Sequence, residues 1–444
     1  MKLVIIGAVA AGTSAGAKAR RGDPSLDITI YEKDTDISYA ACGLPFYVGG
    51  ITDDITDLVP RTPEDFKSKY NIDVLIKHEV LNINPKEKTV TVKNLESQET
   101  FEDAYDQLVI ATGASAFTPP IKGKDLDHVF EVRTANDGKA IEAYIKKEQP
   151  KKAAIIGTGF IGFEMLENLK ALGMEVTLID NDDKLTPHLS KEMADLLFEK
   201  LKHKAFFMKM EAITKEITAK EIIFENGDSI EADLVITAVG IRPNTKLAEE
   251  AGVLLGETKA IKVNEKMQTN LKDIYACGDC IETYSTITGR AVYIPLGTTA
   301  NKTGRIAGDV ITGGDLTYKG NLKTSIFKVF DYTVATSGLS MKEAEEAGFD
   351  VIKIDHIAYS KPKYMSGEKM HISALADKKS KRLLGVQIIG GEGVDKRLDL
   401  YVVLMTYGIP FDDFFHLDLA YAPPFSNVKD AVHYTGMILQ SESE

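Results

Sequence analysis

The sequence predicts an α/β protein with two Rossmann-like dinucleotide-binding domains, followed by a C-terminal α+β domain. The order strand, glycine turn, helix, strand occurs over residues 2–31 and again over residues 153–179. From about Tyr318 onward, alternating strands and amphipathic helices follow without another glycine turn. One chain is therefore expected to hold two nucleotide sites and to end in a domain of a different kind.

The first unit consists of a strand over 2–6, a turn over 7–12, an Ala-rich helix over 13–21 and a strand over 28–31. The turn, GAVAAG, has Val9 where the middle glycine of the dinucleotide fingerprint usually lies. Glu32 follows the second strand, where a carboxylate accepts a hydrogen bond from a ribose hydroxyl. Glu32 therefore favours a nucleotide site over an ordinary tight turn.

Further strands complete both units. Alternating residues over 73–101 predict hairpin strands inserted in the first unit, and apolar strands ending in glycine over 108–113 and 234–240 close the two units. Another apolar strand leads to Asp279, which can bind a sugar or ribityl hydroxyl or cap a following helix. A helix with its entry turn is expected over 295–308, and only the tail, 441–444, is expected to be disordered.

The second glycine turn, GTGFIG over 157–162, matches the dinucleotide fingerprint fully and lies between a strand and a helix. Its glycines let the backbone approach a pyrophosphate at the helix N-terminus. Asp180 ends the next strand and can accept from a ribose hydroxyl. The segment 181–184 is acidic and should repel a 2′-phosphate, which favours NADH over NADPH.

Cys42 is a candidate redox thiol, in the glycine- and proline-bounded segment SYAACGLPFY. Flavin disulfide reductases usually carry a second cysteine five positions later, but that position is Tyr47. The second sulfur is therefore expected from the substrate. Cys277 and Cys280 form a C-x-x-C, which is either a thioredoxin-like dithiol or, as we expect, a pair of inert buried thiols beside a cofactor.

Composition excludes several function classes. A net charge of −13 over 444 residues disfavours nucleic acid as a partner. No apolar stretch approaches the roughly 20 residues that span a bilayer, so no membrane partner and a cytoplasmic location are expected. No metal site is predicted.

Together, the two glycine turns, Glu32, Asp180, Asp279 and Cys42 resemble those of the pyridine nucleotide-disulfide oxidoreductases. Within that family the chain is similar to the single-cysteine class, which contains coenzyme A disulfide reductase, NADH oxidase, NADH peroxidase and persulfide reductase. The resemblance implies an FAD-binding domain over 1–113 and 245–317, an NAD(P)H-binding domain over 114–244 and a dimerisation domain over 318–444. It implies FAD contacts at Gly7, Ala10, Gly12, Glu32, Lys33, Val80, Thr112, Gly113, Asp279 and Thr298. It implies nicotinamide cofactor contacts at Gly157, Gly159, Phe160, Ile161, Gly162, Asp180 and Gly240.

Two features resemble the coenzyme A disulfide reductases most. Peroxidases and oxidases of the class carry a His in the first glycine turn, where this chain has Ala10. Tyr421, in YAPPFS, and Tyr364 resemble the two active-site tyrosines of the coenzyme A disulfide reductases, one of them reaching the cysteine of the partner subunit. Ala41 departs from the pattern, since many members have Asn there. The resemblance also implies coenzyme A contacts at Ser14, Lys18, Arg21, Ser38, Lys69, Asn301 and Lys429.

The resemblance implies a homodimeric flavoprotein in which NADH, or alternatively NADPH, reduces FAD, and in which Cys42 forms a mixed disulfide with coenzyme A. A thiolate held against the flavin, with a lowered pKa, would attack the next small disulfide substrate. Two other enzymes on the same scaffold stay open: an NADH oxidase that cycles Cys42 through a sulfenic acid, and a persulfide or polysulfide reductase. A flavin-bearing redox sensor is the non-enzymatic alternative.

Overall fold

A computed structural model describes residues 1–183 and 185–444, so Lys184 of the acidic segment lies outside the described residues. Up to Glu148 the chain forms β1 (Lys2–Ile6), α1 (Ala11–Gly22), β2 (Asp27–Tyr31), α2 (Leu44–Val48), α3 (Pro63–Tyr70), β3 (Asp73–Leu75), β4 (His78–Asn84), β5 (Thr89–Asn94), β6 (Thr100–Ala104), β7 (Gln107–Ile110), β8 (Ala114–Ala116), β9 (Val129–Glu131) and α4 (Ala135–Glu148). A short 3₁₀ turn, Ala41–Gly43, precedes α2 and carries Cys42.

The middle of the chain repeats the strand-turn-helix order. It forms β10 (Lys152–Ile156), α5 (Phe160–Ala171), β11 (Glu175–Ile179), α6 (Lys191–Leu201), β12 (Phe207–Lys209), β13 (Thr214–Ile217), β14 (Glu221–Phe224), β15 (Ser229–Glu231), β16 (Leu234–Thr237), β17 (Ile241–Pro243), α7 (Lys246–Glu250), β18 (Ile274–Ala276), β19 (Thr283–Tyr284), β20 (Ala291–Val292) and α8 (Gly297–Ile311).

The last part of the chain is an antiparallel sheet with helices. It forms β21 (Ser325–Val329), β22 (Tyr332–Gly338), α9 (Met341–Glu346), β23 (Val351–Tyr359), β24 (Lys369–Asp377), β25 (Leu383–Gly390), α10 (Val394–Tyr407) and α11 (Ala431–Ser443). Helix α11 begins at a capping box of Asp430 and His433 and runs through Ser443. The expectation of a disordered tail was therefore wrong, because residues 441–443 continue a capped helix.

The parallel strands form two sheets of the same design. The first has the order β18-β7-β1-β2-β3, and the second has the order β12-β11-β10-β16-β9. The chain thus returns to the first sheet, through β18, after the second sheet is complete. Strand β3 belongs to the first parallel sheet and β4–β6 form the antiparallel insertion, so the predicted hairpin region begins later than expected. The carboxyl ends of the parallel strands carry the glycine turns, where α/β proteins bind ligands.

Helices α1 and α8 pack closely beneath the first turn. A Cβ at Gly304 would overlap the Ala11 carbonyl oxygen, and a Cβ at Gly308 would overlap that of Ala15. Glycine at these two positions therefore lets the helices approach at backbone distance. This close contact holds the face of α1 that carries Ser14 and Lys18 against α8.

Candidate active site

The first glycine turn holds Glu32 in a fixed position. Gly7, at φ +102°, donates from its amide to the Tyr31 carbonyl at 2.8 Å, and the next amide, of Ala8, donates to Glu32 Oε2 at 2.7 Å. The amide of Asp34 donates to Oε1 at 3.0 Å. Burial raises the pKa of the Glu32 carboxyl, against these two bonds. Each oxygen keeps a lone pair that a ribose hydroxyl can use.

A cavity of about 1050 Å³ extends from this turn towards Cys42. It brings together residues that are far apart in the sequence but were predicted to share one site. Those that line it are Gly7, Ala10, Glu32, Lys33, Val80, Thr112, Gly113, Asp279 and Cys42. Of the other two predicted FAD contacts, Gly12 is buried in α1, where a Cβ would overlap the Gly7 carbonyl oxygen, and Thr298 is exposed on the first turn of α8.

Asp279 and Arg133 meet at the wall of this cavity. Arg133 donates from Nη2 to Asp279 Oδ2 at 2.7 Å and from Nε to the Ala114 carbonyl at 3.0 Å. The other carboxylate oxygen, Asp279 Oδ1, is buried and has no hydrogen-bond partner within the described residues. A buried acceptor without a donor is costly, so this oxygen is ready for a hydroxyl donor from a ligand. The Asp279 oxygen without a hydrogen-bond donor, the cavity and Glu32 together fit a flavin dinucleotide with its ribityl chain.

Cys42 lies on the 3₁₀ turn between this cavity and α2, and its residue is exposed. Desolvation of the sulfur and the negative charges of Glu164 and Asp279 raise the pKa of the thiol, whereas Arg133 lowers it. The protein groups alone therefore raise the pKa of the thiol, because one guanidinium acts against two carboxylates and desolvation. The lowered pKa expected for a thiolate held against a flavin stays a prediction. A stable Cys42 thiolate therefore needs a further favourable interaction besides those with these protein groups.

The other two cysteines are fully buried, as expected for inert thiols. Cys277 and Cys280 are 0% exposed, and Cys280 Sγ contacts the Cys277 carbonyl oxygen at 3.3 Å. Burial raises the pKa of both thiols. Tyr47 is 6% exposed and belongs to the hydrophobic core shared with α5, so a buried aromatic ring takes the position of the usual second cysteine.

The second glycine turn repeats the geometry of the first. Gly157, at φ +110°, donates to the Ile179 carbonyl at 2.8 Å, and the Thr158 amide donates to Asp180 Oδ2 at 2.8 Å. The Thr158 hydroxyl adds a bond of 2.6 Å to the same oxygen, and the Asp182 amide donates to Oδ1 at 3.1 Å. This turn therefore presents a fixed carboxylate to a second nucleotide.

The remaining predicted nicotinamide contacts surround that turn. Gly159 caps α5 in an extended conformation, and Gly162 is buried where a Cβ would overlap the Gly157 carbonyl oxygen. Phe160 stacks on His188 with ring centroids 4.8 Å apart, and the partly buried Ile161 follows it. Gly240, at φ +123°, follows the neighbouring strand, and among the described residues no atom lies within 4 Å of the point where a Cβ would stand. The backbone at Gly240 is therefore open to close approach by a ligand.

The two units are joined at their glycine-ending strands. The Thr112 hydroxyl donates to the Asn244 carbonyl at 2.7 Å, and the Asn244 side chain donates back to the Thr112 carbonyl at 2.8 Å. Strands β8 and β17 pair beside this contact. The strand ends that were predicted to close the two units therefore bond directly to each other.

The predicted coenzyme A contacts lie in several separate parts of the structure. Asn301 donates to the Ser14 hydroxyl at 3.0 Å between α8 and α1, and Lys18 forms an ion pair of 2.6 Å with Asp309 beside them. Ser38 is partly buried at φ +53°, and its amide donates to the Ala8 carbonyl. Arg21 and Lys69 are exposed on α1 and α3. Lys429 lines a separate cavity of about 450 Å³ in the last domain.

The two predicted active-site tyrosines lie in the last domain. Tyr364 is 75% exposed on a 3₁₀ turn, and Tyr421 is 49% exposed. Among the described residues, neither belongs to the lining of the cavity that holds Cys42 within one subunit. Both phenols are therefore free to contact another molecule.

Sequence reasoning missed Arg133 and Glu164. Arg133 stands just before α4, and Glu164 lies in the second turn of α5. Neither belongs to a motif, and both act on Cys42 only through the folded chain. Within the described residues, no cluster that could hold a metal ion is found, and no helix has the length and apolar character needed to cross a bilayer.

Comparison with known proteins agrees with this geometry. The family model of pyridine nucleotide-disulphide oxidoreductases matches residues 1–304, and the dimerisation domain of the same family matches residues 324–432. The chain belongs to this family. It is thus an oxidoreductase with FAD- and NAD-binding Rossmann-like domains and a C-terminal dimerisation domain.

Three similar proteins show which members of the family this chain resembles. A coenzyme A disulfide reductase of Staphylococcus haemolyticus is 34% identical over 98% of this chain and 98% of its own length. A CoA-dependent NAD(P)H sulfur oxidoreductase of Pyrococcus furiosus is 38% identical over 99% of both chains. The crystal structure of reduced Bacillus anthracis CoADR-RHD matches with a TM-score of 0.97 at 37% identity, covering 100% of this chain and 80% of that one. The chain is therefore similar over nearly its whole length to proteins named for coenzyme A disulfide reduction and for NAD(P)H sulfur oxidoreduction.

Proposed function

We propose that the protein reduces coenzyme A disulfide with NADH, using FAD and Cys42 as its single redox-active cysteine. The observation that carries the proposal is the arrangement of the thiols: among the described residues, Cys42 is exposed at the cavity, while Cys277 and Cys280 are 0% exposed. A second sulfur for a disulfide with Cys42 must then come from outside the chain. The S. haemolyticus relative supports coenzyme A as its source.

The two glycine turns are assigned to two different cofactors. Glu32, Asp279 and the first glycine turn would hold FAD, and Asp180 with the second turn would hold the nicotinamide cofactor. Bound FAD accepts a hydride from the nicotinamide cofactor and supplies two electrons for sulfur chemistry. The carboxylate of Asp180, followed by Asp182 and Asp183, supports NADH over NADPH because these groups repel a 2′-phosphate.

The disulfide step needs a thiolate and an acid. The Cys42 thiolate attacks one sulfur of coenzyme A disulfide, the sulfur–sulfur bond breaks, and one coenzyme A thiolate leaves. Tyr421 of the partner subunit would donate a proton to it, because a phenol hydroxyl can act as a general acid. Two electrons then break the mixed disulfide and return the Cys42 thiolate. Tyr364 would line the same shared site.

Binding of coenzyme A would use the cations beside the cavity. Ser14, Lys18 and Asn301 already form one polar face across α1 and α8. Lys18 is paired with Asp309, so a phosphate must compete with that carboxylate for the ammonium group. Arg21, Ser38, Lys69 and the partner subunit's Lys429 complete the proposed set.

A homodimer with an active site shared between subunits is part of the proposal, supported by the match to the dimerisation domain. The domain boundaries 1–113 with 245–317, 114–244 and 318–444 are proposed as well, supported by the pairing of β18 with β7 in the first sheet. A cytoplasmic location stays a prediction.

The test is NADH oxidation by purified protein with coenzyme A disulfide, with release of free thiol measured anaerobically. Stoichiometric formation of two thiols per NADH supports the proposal. Denaturation of the oxidised enzyme followed by mass analysis of Cys42 gives a second reading, because a coenzyme A adduct is expected on this residue. Absence of both turnover and adduct would overturn the proposal.

The same assay separates the rival activities. Oxygen-dependent NADH consumption without disulfide, with an oxygenated Cys42, would identify an oxidase. Release of sulfide from a persulfide or polysulfide would identify a sulfur reductase, an activity that the name of the P. furiosus relative suggests. Ala10, in place of a His in the first turn, supports the disulfide over oxygen.

A further inference from the structure

A second cavity, of about 450 Å³, lies in the last domain where the end of β23 meets the start of α11. Three of its lining side chains are lysines, Lys361, Lys363 and Lys429, and among the described residues none of the lining side chains is an Asp or a Glu. The chain as a whole carries a net charge of −13. This lysine cavity is therefore a local site of positive charge on an acidic protein, which suits an anionic ligand.

Most of this positive charge is not neutralised by the protein itself. Lys361 Nζ forms an ion pair of 2.6 Å with Glu392. The ammonium groups of Lys363 and Lys429 instead lie over the rings of neighbouring tyrosines, 4.9 and 6.0 Å from the ring centroids. Within the part of the chain that the structure describes, neither of these two lysines forms an ion pair. A contact with an aromatic face leaves the charge of the lysine intact, so two ammonium groups can still bind an anion.

The two segments that carry these lysines are bound to each other. The Asn427 side chain donates to the Tyr359 carbonyl at 2.9 Å. Arg397, which is 1% exposed, donates from Nη2 to the Ser360 carbonyl at 2.9 Å and to Asp430 Oδ2 at 2.6 Å. One buried guanidinium thus holds the residue before the first lysine and the residue after the last. The walls of the cavity are therefore fixed before a ligand arrives, which lowers the entropic cost of binding.

The same two segments carry the proposed active-site tyrosines. Lys363 directly precedes Tyr364 on the 3₁₀ turn Lys363–Met365, and Tyr421 precedes Lys429 in the loop that leads to α11. In the proposed dimer, both phenols reach Cys42 of the partner subunit. Coenzyme A has its sulfur at one end and its phosphates at the other. A subunit that offers phenols to the sulfur end therefore offers lysines to the phosphate end from the same segments.

The remaining lining residues favour a nucleotide over a bare phosphate. Ile357, Val428 and Tyr434 line the cavity and are 54%, 70% and 42% exposed. Apolar and aromatic side chains of this kind can pack against a base, whereas an inorganic anion gains nothing from them. The cavity thus combines cations for phosphate groups with a surface for a planar ring.

We propose that the lysine cavity binds the phosphorylated adenosine end of the coenzyme A that reacts at Cys42 of the partner subunit. Lys361 and Lys363 thereby join Lys429 as residues that determine specificity for this substrate over disulfides without a nucleotide. The inference deepens the proposed function and rests on it. It assigns these lysines to substrate binding and leaves the sulfur chemistry to Cys42 and the tyrosines.

The experiment titrates the FAD-bound protein with adenosine 3′,5′-bisphosphate by calorimetry. Saturating NAD⁺ is present, so that the second glycine turn is occupied. Lys363→Gln and Lys429→Gln should each weaken binding about tenfold, because each removes a charged partner of a phosphate. Lys363→Arg keeps the charge and should retain most of the affinity. Added salt should weaken binding to wild type more than binding to the Gln variants.

Lys379→Gln is the matched control, since it removes an exposed lysine of the same domain from the turn between β24 and β25. It should leave the dissociation constant unchanged. Adenosine and inorganic phosphate, each tested alone, should bind more weakly than the bisphosphate. No binding to wild-type protein, or equal dissociation constants in wild type, Lys363→Gln and Lys429→Gln, would overturn the inference. Inorganic phosphate that bound as tightly as the bisphosphate would contradict a nucleotide ligand.

Kinetics with two disulfides separate this inference from the proposed function. Pantethine, the disulfide without the nucleotide, cannot use the lysine cavity. The ratio of kcat/KM for coenzyme A disulfide to kcat/KM for pantethine should therefore fall about tenfold in Lys363→Gln, through KM for coenzyme A disulfide. Turnover on coenzyme A disulfide with an unchanged ratio would reject the cavity and keep the function. Bisphosphate binding that depends on the lysines, in a protein without turnover on the disulfide, would support the cavity and reject the substrate.

Discussion

The two glycine turns position their carboxylates alike, yet they differ at the middle position of the fingerprint. In both, the amide after the first glycine donates to the carboxylate at the end of the next strand, at 2.7 Å to Glu32 and 2.8 Å to Asp180. The middle position of the fingerprint is Val9 in the first turn and Gly159, in an extended conformation, in the second. Of the two turns, only the second therefore has the middle glycine of the fingerprint.

The difference shows which parts of the fingerprint the fold needs. Gly7 and Gly157 have positive φ angles, and Gly12 and Gly162 lie where a Cβ would overlap the turn. These first and last glycines are required by geometry in both units. At the middle position of the second turn, no atom of the described residues lies within 4 Å of a Cβ, so its glycine leaves space for a ligand.

The largest expected effect is that of replacing Cys42, which should separate the reduction of FAD from the reduction of the disulfide. Cys42→Ser should reduce disulfide turnover more than about a thousandfold, because the nucleophile is lost. Reduction of bound FAD by NADH should stay near the wild-type rate, since the second turn is unchanged. Stopped-flow absorbance and thiol release measure the two steps. Full turnover in the variant would show that the two units are not linked through this sulfur.

The next effect compares the last glycines of the turns. Gly12→Ala should lower the free energy of unfolding by about 3 kcal/mol, because its Cβ overlaps the Gly7 carbonyl oxygen. It should also lower the FAD content. Gly162→Ala should keep FAD and lose affinity for NADH. Flavin absorbance, thermal unfolding and NADH titration distinguish the two. If both variants lost FAD equally, the units would not act as separate sites.

A smaller effect is expected from the second carboxylate. Asp180→Ala should lower kcat/KM for NADH about 30-fold, equivalent to about 2 kcal/mol for a charged hydrogen bond. Activity with NADPH should fall less, because the repulsion of a 2′-phosphate is also removed. Steady-state kinetics with both cofactors check this, and FAD content is the control. An unchanged preference would place cofactor selection elsewhere.

The smallest effect tests the one hydrogen bond that the first turn lacks. The Thr158 hydroxyl donates to Asp180 at 2.6 Å, while the first turn has Ala8 at that position. Thr158→Val should raise KM for NADH about fivefold, as expected for a bond of about 1 kcal/mol, with kcat unchanged. A change in kcat without a change in KM would contradict a role in orienting the carboxylate.

The local patterns predicted much of the fold and of the nucleotide sites. Both turns and the positions of Glu32 and Asp180 follow from spacing within single βαβ units, so short segments of sequence contain the necessary information. Strand β3 was mistaken for hairpin because its three residues carry no period of their own, and its parallel pairing is set by β2. The helical end of α11 depends on Asp430 and His433, a cap that the tail composition does not reveal.

The electrostatic part of the site could not be predicted. Arg133 reaches Asp279 across 146 positions of sequence, and Glu164 acts on Cys42 only because α5 packs against α2. Both relations arise from tertiary packing, for which no residue pattern exists. The raised pKa that the protein groups give the Cys42 thiol could not be predicted for the same reason, since it depends on two distant carboxylates.

The late return of the chain to the first sheet has a consequence for biosynthesis. Strand β7 needs β18 to cover one of its edges, whereas every strand of the second sheet lies between residues 129 and 237. On a ribosome the second sheet can close while one edge of the first is still unpaired, and such an edge is a template for aggregation. The nascent protein should therefore be most exposed to chaperones and proteases before residues 274–276 emerge.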